Sequence, residues 1–195
     1  MRLILAGVLG SAFSALAPAP SALGLDIGHT RLPEKMRLAP QGTELLLNGA
    51  GLRSRFLVEI YVIGLYLPKK RKTDAEVLTH AGAKRIRIVM LREVTVKQMI
   101  DSLLSVMHKS NGKAELAAVL SGVDQFRAML LALNAVPKGT VFDIDYSPES
   151  GTRLAVDGIP RGRPIAGEPF YRAVLRIWIG DKPDQPDLKQ ALLGR

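Results

Sequence analysis

The chain has no cysteine. That excludes a disulfide framework, a thiolate nucleophile and any thiolate-held metal. Histidine is scarce too: His29, His80 and His108 lie far apart, and none stands at a spacing that lets two imidazoles share an ion. No metal site is expected. Aromatic residues make up only 5% of the chain, with no ladder of rings on which bases would stack. The glycine-rich segment Asn48–Gly51 lacks both the Gly-Lys-Ser/Thr ending and the following helix of a phosphate loop. Neither a dinucleotide fingerprint nor a Gly-x-Ser-x-Gly nucleophile elbow occurs. No cofactor is therefore expected. Long apolar runs are also missing: Leu3–Leu16 is too short to cross a bilayer comfortably, and no second run of spanning length exists.

What remains is a globular composition. The 195 residues are 47% hydrophobic and 23% charged, enough for one domain with a real core. The balance of 27 Lys+Arg against 18 Asp+Glu gives +9, but the basic residues are scattered and only Lys69–Lys72 is a tight run. This reads as a basic soluble surface with no nucleic-acid partner. At the start, Arg2 precedes the uncharged run Leu3–Leu16, and small residues and prolines follow from Ala17 to Gly24. That order is the pattern of an export signal. Residues 1–24 are expected to be a signal peptide, cut after Ala22 or Gly24, with 25–195 as the mature domain and no membrane span in it.

The organising stretch is Asn48–Pro68. Its even positions from Phe56 to Tyr66 are apolar and its odd positions mixed, a period of two rich in β-branched and aromatic residues. One face on the core is expected. Gly49 and Gly51 predict a sharp turn or bulge between this strand and a short one over Thr43–Asn48. Arg53 and Tyr66 lie 13 positions apart. They reach one face only if Arg53 belongs to the bend rather than the strand.

Around this stretch, Leu25–Gln41 predicts one short edge strand. Thr73 with Glu76 predicts a capped helix, and Lys84–Leu91 a strand. Thr95 caps a helix with Met99, Ile100, Leu103, Leu104 and Met107 on one stripe. A longer helix follows over Lys113–Asn134, where Gly122 marks a close contact or a break. Thr140–Tyr146, Arg153–Val156 and Ile159–Ile165 read as strands. Asp157-Gly158 is a two-residue hairpin turn, and Pro160 and Pro164 confine the last strand to an edge. Glu168-Pro169 opens a helix that Gly180 closes, and a short helix carrying Leu188 and Leu192 follows. Strands and helices are segregated, which predicts an α+β domain with a mostly antiparallel sheet covered on one side.

Asn-Gly-Ala-Gly-Leu-Arg at 48–53, Val-Ile-Gly-Leu-Tyr-Leu at 62–67 and the helical stretch Phe170–Pro183 together resemble the chalcone isomerase-like superfamily, over about residues 40–194. The likeness is to its secreted bacterial branch. It implies an open-faced β-sandwich with helices on one layer, and a periplasmic or secreted location. It also implies that Arg53 and Tyr66 hold the carboxylate of a small hydrophobic or amphipathic ligand such as a fatty acid. In the isomerases of the superfamily the arginine instead steadies a phenolate or enolate during ring closure. A threonine of those enzymes corresponds to Tyr61 here, and their other polar positions to Met99, Val106 and Ile177. Side chains of these last three types cannot move a proton. The resemblance therefore implies an exported, non-catalytic binder with Arg53, Tyr66 and Tyr61 as ligand-binding residues. The alternative is an isomerase, or intramolecular lyase, acting through Arg53 on a phenolic substrate. Oligomeric state is left open.

Overall fold

A computed structural model describes residues 24–39 and 42–195. The expected signal segment, apart from Gly24, lies outside the described residues.

Seven strands form one antiparallel sheet in the order of the sequence: β3 (Lys35–Leu38), β4 (Thr43–Arg55), β5 (Val58–Leu67), β6 (Lys84–Met90), β7 (Val141–Ser147), β8 (Gly151–Val156) and β9 (Ile159–Ile165). A separate hairpin of β1 (Gly24–Ile27) and β2 (Thr30–Pro33) precedes it. The segment read as holding one edge strand thus holds three. Helices fill two connections and follow the last strand: α1 (Asp74–Leu78) between β5 and β6; α2 (Val96–Ser110), α3 (Lys113–Ala118) and α4 (Leu120–Leu131) between β6 and β7; α5 (Glu168–Ile179) and α6 (Pro186–Leu192) after β9. The α+β class is as expected, and β9 with its two prolines is an edge strand.

Local chemistry sets the helix starts. Thr73 accepts from the Glu76 backbone N–H while the Glu76 carboxylate accepts from the Thr73 N–H, and Thr95 and Gln98 repeat this exchange at α2. The long helix expected over Lys113–Asn134 is two helices, broken at Val119 rather than at Gly122. Gly122 is a contact: a Cβ there would stand 2.9 Å from the Phe170 ring, so its bareness lets α4 lie against α5.

The sheet is buried on two faces. Toward the helices lies the main core, with Ile63, Leu65, Ile86, Phe142 and Ile144 meeting Phe170, Val174 and Ile177 of α5. On the opposite face Leu32, Leu38, Leu45, Leu47, Val62 and Tyr66 make a second, smaller core under the β1–β2 hairpin. That face also carries Arg85 and Arg87, each held by both oxygens of a carboxylate on β7: Arg85 by Asp145 and Arg87 by Asp143. Such forked pairs fix strand register and leave these arginines no free charge for a ligand.

No bend separates the two halves of the organising stretch. β4 runs unbroken from Thr43 to Arg55, with a bulge at Asn48. Asn48 donates through Nδ2 to the Leu192 carbonyl at 2.8 Å and accepts the Arg71 N–H on Oδ1 at 2.6 Å. It ties the bulge to the end of α6 and to the loop after β5. Gly49 and Gly51 sit directly under α6. A Cβ at Gly49 would fall 2.1 Å from the Ala191 carbonyl oxygen, and one at Gly51 would fall 2.6 Å from Leu188. The glycines are there for close helix–strand packing, not for a turn.

Candidate functional site

A cavity of about 1090 Å³ opens between the helix-covered face of the sheet and helices α2, α5 and α6. Its depth is apolar. Ile88, Met90, Phe142 and Ile144 come from the sheet, Met99, Leu103 and Val106 from α2, and Ile177 and Trp178 from α5. Its mouth is polar and exposed, formed by the end of the β4–β5 hairpin, the loop before α2 and the outer side of α2. The volume is at the upper end of small-ligand pockets, about 300–1,000 Å³, and the pattern of greasy walls with few polar groups is theirs.

Arg53 is a β4 residue on the cavity side. Strand pairing sets it directly opposite Tyr61 of β5, so the two side chains leave the same face of the sheet as neighbours. The Arg53 side chain is 14% exposed. Its Nη2 donates to Asp184 Oδ2 at 2.9 Å and its Nη1 to Gln185 Oε1 at 3.4 Å. Gln185 is itself fixed to the edge of β4, accepting from the Ser54 N–H at 3.2 Å and donating to the Leu52 carbonyl at 3.0 Å. Lys109 of α2 adds a second cation 3.9 Å from Asp184.

Tyr61 accepts a hydrogen bond from Trp178 Nε1 at 2.8 Å. An indole nitrogen only donates, so the phenolic oxygen is the acceptor in this bond and its hydrogen is left free to donate elsewhere. Burial raises the Tyr61 pKa, opposed by the Trp178 bond and by the Arg53 charge. The group stays a neutral donor at physiological pH. One end of the cavity thus offers a fork of charged donors and, beside it, a phenolic O–H.

Tyr66 is elsewhere. It is fully buried in the second core, on the far face of the sheet, and its hydroxyl has no hydrogen-bond partner. The expectation that Arg53 and Tyr66 converge is corrected on geometry. Arg53 pairs with Tyr61, and Tyr61 and Tyr66 are five residues apart on one strand, an odd step that reverses the face. Burial pushes the Tyr66 phenol up to about 12. Two further expected inward residues are placed differently. Val62 belongs to the second core, and Phe56 stands in the hairpin turn, 87% exposed at the cavity mouth.

Met99, Val106 and Ile177 all line the cavity. None of them can act as an acid or base. Asp184 and Gln185, which hold Arg53, were not singled out from the sequence. They lie in a polar, proline-flanked segment that reads as a connection, and 131 residues separate Asp184 from Arg53. Among the described residues no cluster of His, Asp and Glu is arranged to hold a metal ion. No described helix is long and apolar enough to cross a membrane.

An antiparallel sheet backed by helices, with a greasy cavity closed at one end by an arginine, defines a domain of the α+β class. The chain belongs to the chalcone isomerase-like family, whose model matches residues 24–194. No curated protein matches the sequence. Among solved structures, a fatty-acid binding protein of Arabidopsis thaliana superposes with a TM-score of 0.61 at 14% identity, covering 82% of this chain and 96% of that one. At that identity the likeness is one of fold.

Proposed function

We propose that the chain is an exported, non-catalytic binder of a small amphipathic carboxylate, such as a fatty acid. The carboxylate sits at Arg53 with Tyr61 donating beside it, and the aliphatic body lies along Met99, Leu103, Val106 and Trp178. The observation that carries this reading is the largely desolvated guanidinium at the polar end of an apolar cavity. A charge held out of water needs a counter-charge. Asp184 supplies it in the ligand-free protein, and an incoming carboxylate takes its place. The fatty-acid binding protein of the same fold supports the choice of ligand class. The apolar residues at the three positions matching the isomerases' remaining polar groups favour binding over catalysis.

The test is lipid extraction of the purified protein with mass spectrometry, followed by titration with a fluorescent fatty acid. A hydrogen bond to a charged group contributes about 1.5–3 kcal/mol, so Arg53→Gln is expected to weaken binding about 10- to 150-fold, with a melting temperature lowered only slightly by loss of the Arg53–Asp184 pair. Unaltered affinity overturns the anchor. Turnover of a chalcone above the buffer rate, read by absorbance, overturns the non-catalytic assignment. Export is tested by intact mass: the recovered protein should begin after Ala22 or Gly24.

A further inference from the structure

Among the described residues, two of the two-residue hairpins have positive φ at both turn positions, and their chemistry is opposite. Between β8 and β9, Asp157 (φ 51°) and Gly158 (φ 76°) join Val156 to its pairing partner Ile159. Between β4 and β5, Phe56 (φ 49°) and Leu57 (φ 65°) join Arg55 to its partner Val58. Asp-Gly and Asn-Gly are the usual occupants of a turn with positive φ at both positions, because bulky residues there crowd their own carbonyls. The second turn holds two bulky apolar residues in that conformation. It also presents them to water: Phe56 is 87% exposed and Leu57 101%, with Val58 beside them at 42%. Among the described residues, only the Arg55 guanidinium is recorded against this pair, and it does not account for two bulky apolar residues in the turn.

The tip stands at the mouth of the cavity, which Arg55, Phe56 and Val58 help to form. The charges at this mouth are Arg53, Arg55, Arg92 and Lys109 against Glu93, Asp101 and Asp184, a small excess of cations. The Arg55 guanidinium lies 5.4 Å from the centre of the Phe56 ring, and Arg92 lines the same mouth. Neither arginine has a carboxylate partner among the described residues; of the acidic residues at this mouth, Asp101 is paired with Lys97, Asp184 with Arg53 and Lys109, and Glu93 is unpaired. Apolar side chains at a loop tip, flanked by the two unpaired guanidiniums of Arg55 and Arg92, match the two layers of a lipid surface: acyl chains below, anionic headgroups above.

We infer that the Phe56–Leu57 hairpin tip is a membrane-docking element that inserts into the surface of an anionic lipid bilayer and sets the cavity mouth against it. An amphiphile then passes between bilayer and cavity without crossing water. That last step rests on the proposed ligand; the docking itself does not.

The test uses ligand-free full-length mature protein and vesicles of phosphatidylcholine with and without phosphatidylglycerol, read by flotation. Wild-type protein is expected to float with the anionic vesicles, and less so as salt rises. Leu57→Gly should weaken this binding about tenfold, and Phe56→Asn with Leu57→Gly about a hundredfold, as each large apolar side chain is withdrawn from the acyl layer. Neither change threatens the fold, since Asn-Gly suits the turn, and both variants should melt no lower than wild type. Leu57 does not line the cavity, so Leu57→Gly should take up fatty acid from solution as wild type does. Absence of binding to anionic vesicles overturns the proposal. So does binding that the double substitution leaves unchanged, which is adsorption through charge alone. A concentration-dependent dimer in gel filtration that the double substitution abolishes also overturns it, in favour of a second copy as the occupant. Failure of fatty-acid titration with intact vesicle binding counts against the cavity ligand and not against docking.

Discussion

Replacing Asp184 by asparagine tests how the cavity holds its charge before a ligand arrives. The carboxylate lies 2.9 Å from Arg53 Nη2, where the oxygen of a bound carboxylate would otherwise lie. As a competitor, it must be displaced at a cost equal to the net strength of the pair. Arg53 is 14% exposed on its side chain, but Asp184 is 37% exposed, so water reaches the acidic partner and screens the pair, and the figure for surface pairs applies, about 0.2–1 kcal/mol. Asp184→Asn is therefore expected to tighten carboxylate binding by about 1.5- to 5-fold, and the gain should shrink as salt screens the charges. Lys109, 3.9 Å from the same carboxylate, is released by the same change and adds to the effect at low ionic strength. Titration with a fluorescent fatty acid at two salt concentrations reads this directly. The opposing idea is that Asp184 orients Arg53 for the ligand, in which case asparagine weakens binding. A loss of affinity, or no change at low salt, refutes the competition argument. Gln185 is the internal control. Its side chain stays bound to the Leu52 carbonyl and the Ser54 N–H whatever stands at 184, so the β4 edge keeps its shape.

Gly49→Ala and Gly51→Ala should both destabilise, in that order of severity. The new methyl at 49 meets the Ala191 backbone oxygen, which cannot yield without moving α6, whereas at 51 it meets the flexible end of Leu188. A loss of about 3 kcal/mol or more is expected at 49 and about 1–3 kcal/mol at 51, read as melting temperatures, and the reverse order refutes the packing account. Tyr66→Phe should leave ligand affinity unchanged and stabilise by about 1 kcal/mol at neutral pH, because it removes a buried hydroxyl without a partner. The wild-type phenol titrates near 10 unfolded and about 12 folded, so the folded state holds its proton where the unfolded state has lost it. Its contribution is complete below pH 10 and fades as pH rises toward about 12, and Tyr66→Phe should make that alkaline decline shallower in chemical denaturation. A fall in affinity in this variant would return Tyr66 to the site.

The alternation along β5 was readable, and so was the parity problem between Arg53 and Tyr66, because strand period is a local property. Which face held the cavity was not readable. In most half-buried strands the more polar face lies outward, and here the even positions are the more apolar; but at the far end of the strand Ile63 and Leu65 oppose Val62 and Tyr66, both sides carry a core, and the cavity lies on the mixed face. The β1–β2 hairpin supplies the second core, and its contribution is long-range. The glycines at 49 and 51 carried the right signal, absence of a side chain, with two physical causes behind it. A turn and a helix pressed on a strand demand the same residue, and only the position of α6 decides between them. Val119 gave no warning at all, since nothing in its type marks a helix break. The Phe56–Leu57 turn failed in the most informative way. The strand pattern runs straight through it because no turn residue stands there, while Asp157-Gly158, with positive φ at the same two positions, carries the turn in its residue types. Where one chain obeys a local rule at one hairpin and breaks it at another of the same geometry, the rule is sound and the exception is kept by something outside the fold. Here the exception sits on the rim of the cavity that holds Arg53, which is why the turn, and not only the arginine behind it, belongs in any account of what this protein does.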